Sequence, residues 1–269
     1  MMIRRNNFRF LILLILLTCL ICYCATTGPG GKKSLILIST SQEVSLGKEF
    51  SAQVDTTNPL SDDSVLVNYV NNVGQKIARL SDRADLNYRF AIIDTPIINA
   101  FACPGGYIYL YTGLLNVMEN EAQLAGVLAH EISHVVARHG VKRLQQILGL
   151  QVLLSIALGE SSELTQQAVG IGLSVLLQAH SRDNEFEADE YGTYYMQRAG
   201  YNPEGMAQLL EKLLELSSAE GGFFEKVMTT HPPARDRVDR VRQQIQGFDP
   251  SVKNLPFNEQ QYQEIKKRI

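Results

Sequence analysis

The sequence predicts an α+β domain, mostly helical, with a small antiparallel β-sheet beside one motif-bearing helix. Three observations lead there. From Asn120 onward the apolar spacing is helical almost throughout. Between positions 88 and 111, three short β-rich runs follow one another with turn signals between them. The 269 residues are 45% hydrophobic and 20% charged, the balance of a globular chain long enough to bury a core without staples. That balance argues against a disordered chain, a collagen or a polytopic membrane protein. A formal net charge of -3 argues against general nucleic-acid binding, which needs a basic face. Of the 4 Cys, only Cys103 lies beyond an N-terminal apolar run, so this is not a disulfide scaffold.

The elements follow in chain order. Arg4, Arg5 and Arg9 precede an apolar stretch over 10–25, the pattern of an export signal and short for a membrane span. Cys24 closes that stretch and a Gly/Pro-rich segment follows, which resembles a bacterial lipoprotein signal, although Tyr23 stands where a small residue is usual. The expected layout is a signal over 1–24 with a lipid anchor to the membrane at Cys24, then a tether over 25–34. Loss of residues 1–23 removes three Arg and no acid, taking the charge from -3 to -6. One domain is expected over 35–250, and a tail over 251–269. Residues 35–83 read as mainly helical, with Ser61-Asp62-Asp63 as turn and cap before a second helix. Strands are expected at 88–94, 97–102 and 107–111, with Cys103-Pro-Gly-Gly106 as a turn. Asn120 reads as an N-cap, and the helix it opens should run to His139-Gly140, with Gly as C-cap. Residues 144–179 are unusually apolar and read as two core or lid helices, with contact to a membrane surface or apolar partner as the alternative. Helices at 181–198, 203–216 and 233–245 complete the chain.

The strongest chemical signal is His130-Glu131-Ile132-Ser133-His134. Residues i and i+4 share one helical face, so two imidazoles there can reach one tetrahedral ion. Glu131, next to the first ligand, can reach a water on that ion, which is the HExxH arrangement of zinc peptidases. A catalytic zinc needs a third protein ligand. A third His at position 140 is excluded because Gly140 stands there. His139 is half a turn out of phase with His130 and is expected at the surface or helix end. Glu185 and Asp189, four apart, share a face, whereas Glu187 lies on another. Glu185 could ligate the ion while Asp189 accepts the outer N–H of a ligand His. The alternative is a solvated acidic face.

Four strings occur in one order: Asn99-Ala-Phe-Ala-Cys-Pro-Gly-Gly106, His130-Glu-Ile-Ser-His134, Ser181-Arg-Asp-Asn-Glu185 with Asp189, and Thr230-His-Pro-Pro233. Together they resemble the HtpX and CAAX-prenyl-protease family of zinc metallopeptidases, and most closely its soluble BepA-like periplasmic and lipoprotein branch. The resemblance covers about residues 35–245. It implies a gluzincin-type fold, one Zn(2+) per chain and Glu185 as third ligand. It also implies that His231 and Arg237 lie near the site. The several membrane spans of bacterial HtpX are not expected here, nor the helical-repeat extension of BepA-like chains.

The expected function is therefore an envelope endopeptidase that acts in quality control. In this reading Glu131 serves as general base, and His231 serves as oxyanion donor, resting zinc ligand or both. Asn99, Ala100 and Phe101 are expected on an edge strand that binds extended or unfolded polypeptides through their main chain. A zinc-stabilised chaperone or binding module with little proteolysis is the competing expectation.

Overall fold

The computed structural model describes residues 24–27, 32–148, 172–218, 230–232 and 234–269. The expected signal and most of the apolar 144–179 stretch lie outside the described residues. Strand β1 (Cys24–Thr27) pairs antiparallel with β2 (Lys32–Leu35), Cys24 opposite Leu35. The segment read as a tether thus contributes to two paired strands. Its Gly28-Pro29-Gly30-Gly31 run has turn composition as well as linker composition.

Helix α1 (Thr40–Thr57) opens with a capping box between Ser39 and Gln42. Helix α2 (Ser64–Ala78) is capped by Asp63, whose carboxylate accepts from the amides of Val65 and Leu66. The buried stripe of α2 is Leu66, Val70, Val73 and Ile77. Next come β3 (Arg89–Ile93), β4 (Ala100–Cys103) and β5 (Tyr107–Tyr111). Spatial order is β3-β5-β4. The β4–β5 pair is an antiparallel hairpin, whereas β3 and β5 run parallel. The sheet is therefore mixed, not antiparallel as expected. After β3 the chain crosses to the far side of β5 before β4 begins, a non-local path that no local pattern encodes. The hairpin turn needs positive φ at Gly105 and Gly106, 76° and 98°, which only glycine adopts without strain.

One sheet face sends Ile92, Ala100, Ile108 and Leu110 into a core shared with α2. The other sends Ala91, Ile93, Phe101 and Tyr109 against α1. Helix α3 (Thr112–Val117) leads to α4 (Glu121–Val136), which carries the HExxH string. The Asn120 side chain accepts from the Gln123 amide at 3.0 Å. All of α4 is buried, packed by α2, by β4, and by two later helices, α6 (Arg182–Arg198) and α7 (Glu204–Ser218).

Helix α4 stops at Val136, short of the expected His139-Gly140. Arg138 turns into the left-handed region at φ 55°, and α5 (His139–Ile147) starts there with Gly140 inside it. A non-glycine residue adopts this conformation at a cost. Here the Arg138 side chain is held on both sides. Its Nη2 donates to the Ile38 carbonyl at 2.7 Å, and its Nε lies 2.9 Å from Glu43. Buried Glu43 also takes a two-pronged bond from Arg83, 2.9 Å on each prong.

Helix α8 (Arg235–Gln246) and α9 (Glu259–Lys266) finish the fold. Residues 251–269, expected as a tail, pack into the domain instead. Tyr262 is buried and its hydroxyl donates to the Leu115 carbonyl at 2.7 Å. Tyr262 and Ile265 of α9, and Ile269 beyond its end, lie on the core, which a reading based on charge overlooks. Among the described residues no helix is long and apolar enough to cross a membrane.

Replacing Glu43 with Ala would strand Arg83 and Arg138 without their shared carboxylate. We expect a loss of about 3–5 kcal/mol in urea unfolding, the usual cost of breaking a buried ion pair from one side.

Candidate metal centre

The centre is built from α4 outward. His130 and His134 stand one turn apart, and their Nε2 atoms are 3.1 Å from each other. Glu185, from the first turn of α6, places Oε1 3.4 Å from His134 Nε2 and Oε2 3.5 Å from His130 Nε2. His231 brings Nδ1 to 3.2 Å from His130 Nε2 and 2.9 Å from Glu185 Oε1. All four residues are buried, and their donor atoms lie within 4.8 Å of one another.

Imidazole nitrogens that face each other this closely repel unless protons or a cation lie between them. A tetrahedral zinc site with bonds of about 2.0–2.1 Å has donor–donor edges of about 3.3–3.4 Å. The five spacings given above, 2.9 to 3.5 Å, match that scale. The residues therefore fit a metal ion. Glu131 adds a second sign. Both its oxygens are buried and, among the described residues, lack a hydrogen-bond partner. His231 Nε2 lies 3.3 Å from Oε1. A carboxylate left unpaired in a core is costly, so its position points to a reacting group outside the protein chain.

The packing of α4 on α6 sets these distances. Gly192 of α6 sits against the α4 backbone, where an added Cβ would come 3.0 Å from the His130 amide nitrogen. The same approach puts Asp189 Oδ1 2.9 Å from His130 Nδ1. Arg237, on α8, bonds both Asp189 oxygens at 2.7 Å and lies 2.7 Å from Glu185 Oε2. It also donates to the Pro232 carbonyl at 3.1 Å, tying down the His231 segment.

Protonation follows from these contacts. Burial opposes charge on His130, but Asp189 and then Glu185 outweigh it and lift its pKa to about 9. Burial, with His180 beside it, pushes His134 well below the usual imidazole range. Burial raises the Glu131 carboxyl, partly offset by His231. Burial also works against charge on Glu185 and Asp189, yet both are held below their usual range, Glu185 mainly by His231 and Arg237, Asp189 mainly by Arg237.

Two histidines escaped the sequence reading. His139, expected at the surface, is buried with Nδ1 2.8 Å from His134 Nδ1, and its Nε2 meets Glu187 Oε2 at 3.0 Å. The left-handed turn at Arg138 breaks the helical phase on which the expectation rested. His180, not singled out, lies with its ring centroid 4.2 Å from that of His134 and 5.1 Å from that of His231. Burial, followed by His231, lowers its pKa to about 2. All 5 histidines of the chain thus gather here. Their confinement to positions 130–231 was the available signal.

The residues expected to meet substrate have buried side chains. Phe101 stacks on Tyr109 with centroids 5.1 Å apart. The Thr230 hydroxyl lies 2.9 Å from Asn99 Oδ1 and 3.1 Å from the Ala100 carbonyl. The Asn99 carbonyl accepts from the Tyr111 amide. Strand alternation then turns the main-chain groups of Ala100 and Ala102 away from β5, and on that side the Ala100 carbonyl already meets the Thr230 hydroxyl.

An HExxH helix, a glutamate from a second helix and a small sheet alongside define a gluzincin-type metallopeptidase domain. The model for peptidase family M48 matches residues 66–245, and the chain belongs to that family. It is 30% identical over 226 residues to the beta-barrel assembly-enhancing protease of Escherichia coli K12, covering 80% of this chain and 46% of that protein. It is 31% identical over 180 residues to a mitochondrial metalloendopeptidase of Schizosaccharomyces pombe, covering 65% of this chain and 52% of that one. With the metalloprotease YcaL of Escherichia coli K12 it shares 24% identity over 217 residues, 77% of this chain and 82% of the relative. The chain spans about half the length of the first two relatives.

The Asp189 carboxyl is depressed in the fold, so its contribution to stability is present above its ordinary range, near about 4. That contribution is lost as pH falls through the lower folded value. Arg237→Met removes the main cause of the depression. The acid-unfolding midpoint of the metal-free protein should therefore move to higher pH, read by circular dichroism.

Proposed function

We propose that this protein is a zinc-dependent endopeptidase of the bacterial cell envelope that cuts extended or unfolded segments of envelope proteins in quality control. The observation that carries the reading is the buried Glu131 carboxylate, which accepts no hydrogen bond among the described residues, beside the His130, His134 and Glu185 donors. Mixed imidazole and carboxylate donors in this spacing suit zinc. His130, His134 and Glu185 would hold the ion, one per chain. When bound, it supplies Lewis acidity toward a water and a peptide carbonyl.

The rest falls to the chain's own groups. Glu131 takes a proton from the attacking water and returns it to the leaving amine, and burial raises its pKa toward the range a general base needs. Asp189 accepts the Nδ1 proton of His130 and keeps Nε2 free for the ion. Arg237 neutralises Asp189 and Glu185 together. His231, within reach of Glu131 and Glu185, would help hold the ion at rest, donate to the oxyanion in turnover, or do both. The β4 edge that faces away from β5, at Ala102, pairs with the main chain of an extended polypeptide, which reads shape more than sequence. Asn99 and Phe101 support that strand from behind.

The envelope location rests on the basic and apolar N-terminal pattern and on the names of the relatives. Cys24 is the proposed lipid-anchor site, and BepA-like proteins of the HtpX branch are the proposed kin. The mass of the mature N-terminus tests the anchor.

Glu131→Gln should retain zinc yet lower casein-type proteolysis by about 10²–10⁴-fold. Chelation of the parent should abolish activity, and added zinc should restore it. Full turnover in the Glu131 variant would sink the assignment. His231→Ala should keep zinc and lower kcat by about 10²–10³-fold, the scale of one lost oxyanion donor. Unchanged kcat would remove His231 from catalysis.

A further inference from the structure

Each of the two helix-borne imidazoles has a second nitrogen that points away from the shared centre. For His130 that nitrogen meets Asp189, backed by Arg237. For His134 it meets another histidine. His134 Nδ1 is 2.8 Å from His139 Nδ1, His139 Nε2 is 3.0 Å from Glu187 Oε2, and Glu187 Oε1 accepts from the Tyr191 hydroxyl at 3.0 Å. His139 is buried, and the ring of His180 covers the other side of His134.

Donor and acceptor logic gives this row one direction. A carboxylate only accepts, so His139 Nε2–H donates a hydrogen bond to Glu187. Neutral His139 then presents a lone pair at Nδ1, which accepts the Nδ1 proton of His134. That leaves His134 Nε2 without a proton and facing the other donors. Reversing any one bond leaves two protons or two lone pairs opposed elsewhere in the row.

The backbone is arranged for it. On a continuous helix His139 would lie about 140° around from His134. The left-handed turn at Arg138, pinned by Glu43 and the Ile38 carbonyl, swings His139 back onto His134. We infer that His139 and Glu187 are positioning residues that fix the tautomer and ring orientation of His134 for metal binding. This rests on the reading of His134 as a metal ligand.

The test is zinc affinity of the purified full chain, titrated against a chromophoric chelator. His139→Phe keeps ring volume and offers no acceptor. His139→Asn is smaller but keeps an acceptor near the Nδ1 position. Positioning predicts that Phe weakens zinc binding about 10–100-fold, with Asn recovering part of that loss. Glu187→Gln, on a less buried side chain, should weaken it in the same direction by a smaller factor. A packing role alone predicts the reverse order, with Phe close to the parent and Asn the worse variant. Phe within twofold of the parent, or Asn no better than Phe, overturns the inference. Folding of each variant is checked by circular dichroism without metal, and affinity is taken for the folded fraction. His134→Ala separates the two levels. If it retains parental zinc affinity, the ligand reading itself fails.

Discussion

The structure depends on keeping a cluster of polar groups buried at the middle of an apolar helix. His130, Glu131 and His134 sit on α4, whose other residues are also buried. Glu185, Asp189 and His231 are buried with them. Groups of this kind stay in a core only when each is matched by a partner of opposite character. Arg237 meets much of that demand with one guanidinium, bonding Asp189 through two nitrogens and lying against Glu185 through the third. What Arg237 leaves unmatched is informative. The inward imidazole nitrogens crowd one another, and among the described residues the Glu131 oxygens accept no hydrogen bond.

That demand explains the arrangement of the helices. α6 must come close enough to α4 for Glu185 and Asp189 to reach opposite sides of His130, and Gly192 permits it. α8 must lie behind α6 so that Arg237 can enter, and its N-terminal side holds His231 through the Pro232 carbonyl. The Glu43 clamp belongs to the same economy. Its two arginines join α1 to the end of α4, and thereby set the angle at which α5 leaves.

Legibility in the sequence followed the range of each interaction. His130, His134, Glu185 and Asp189 could be picked out because i, i+4 spacing is a property of a single helix. The caps at Asp63 and Asn120 were readable for the same reason. Where a distant partner decides, local pattern fails. The parallel pairing of β3 depends on a crossover, and the packing of Tyr262 depends on a surface more than a hundred positions earlier. His139 shows the failure most plainly. Its phase was computed for a helix that continues, and one residue in the left-handed region cancelled the calculation.

The position of that turn carries a further consequence. Arg138 separates the last turn of α4 from a histidine that then packs on His134, so a strained backbone position sits between two groups in hydrogen-bond contact. Strain of this kind persists only where surrounding contacts over-determine it. The Glu43 clamp and the Ile38 carbonyl do so from one side, and the His134–His139–Glu187 row does so from the other. Neither set would hold Arg138 in place for its own sake. Stability of the α1–α4 junction and orientation of His134 are thus two results of one backbone choice, made outside the HExxH string and four residues beyond its second histidine.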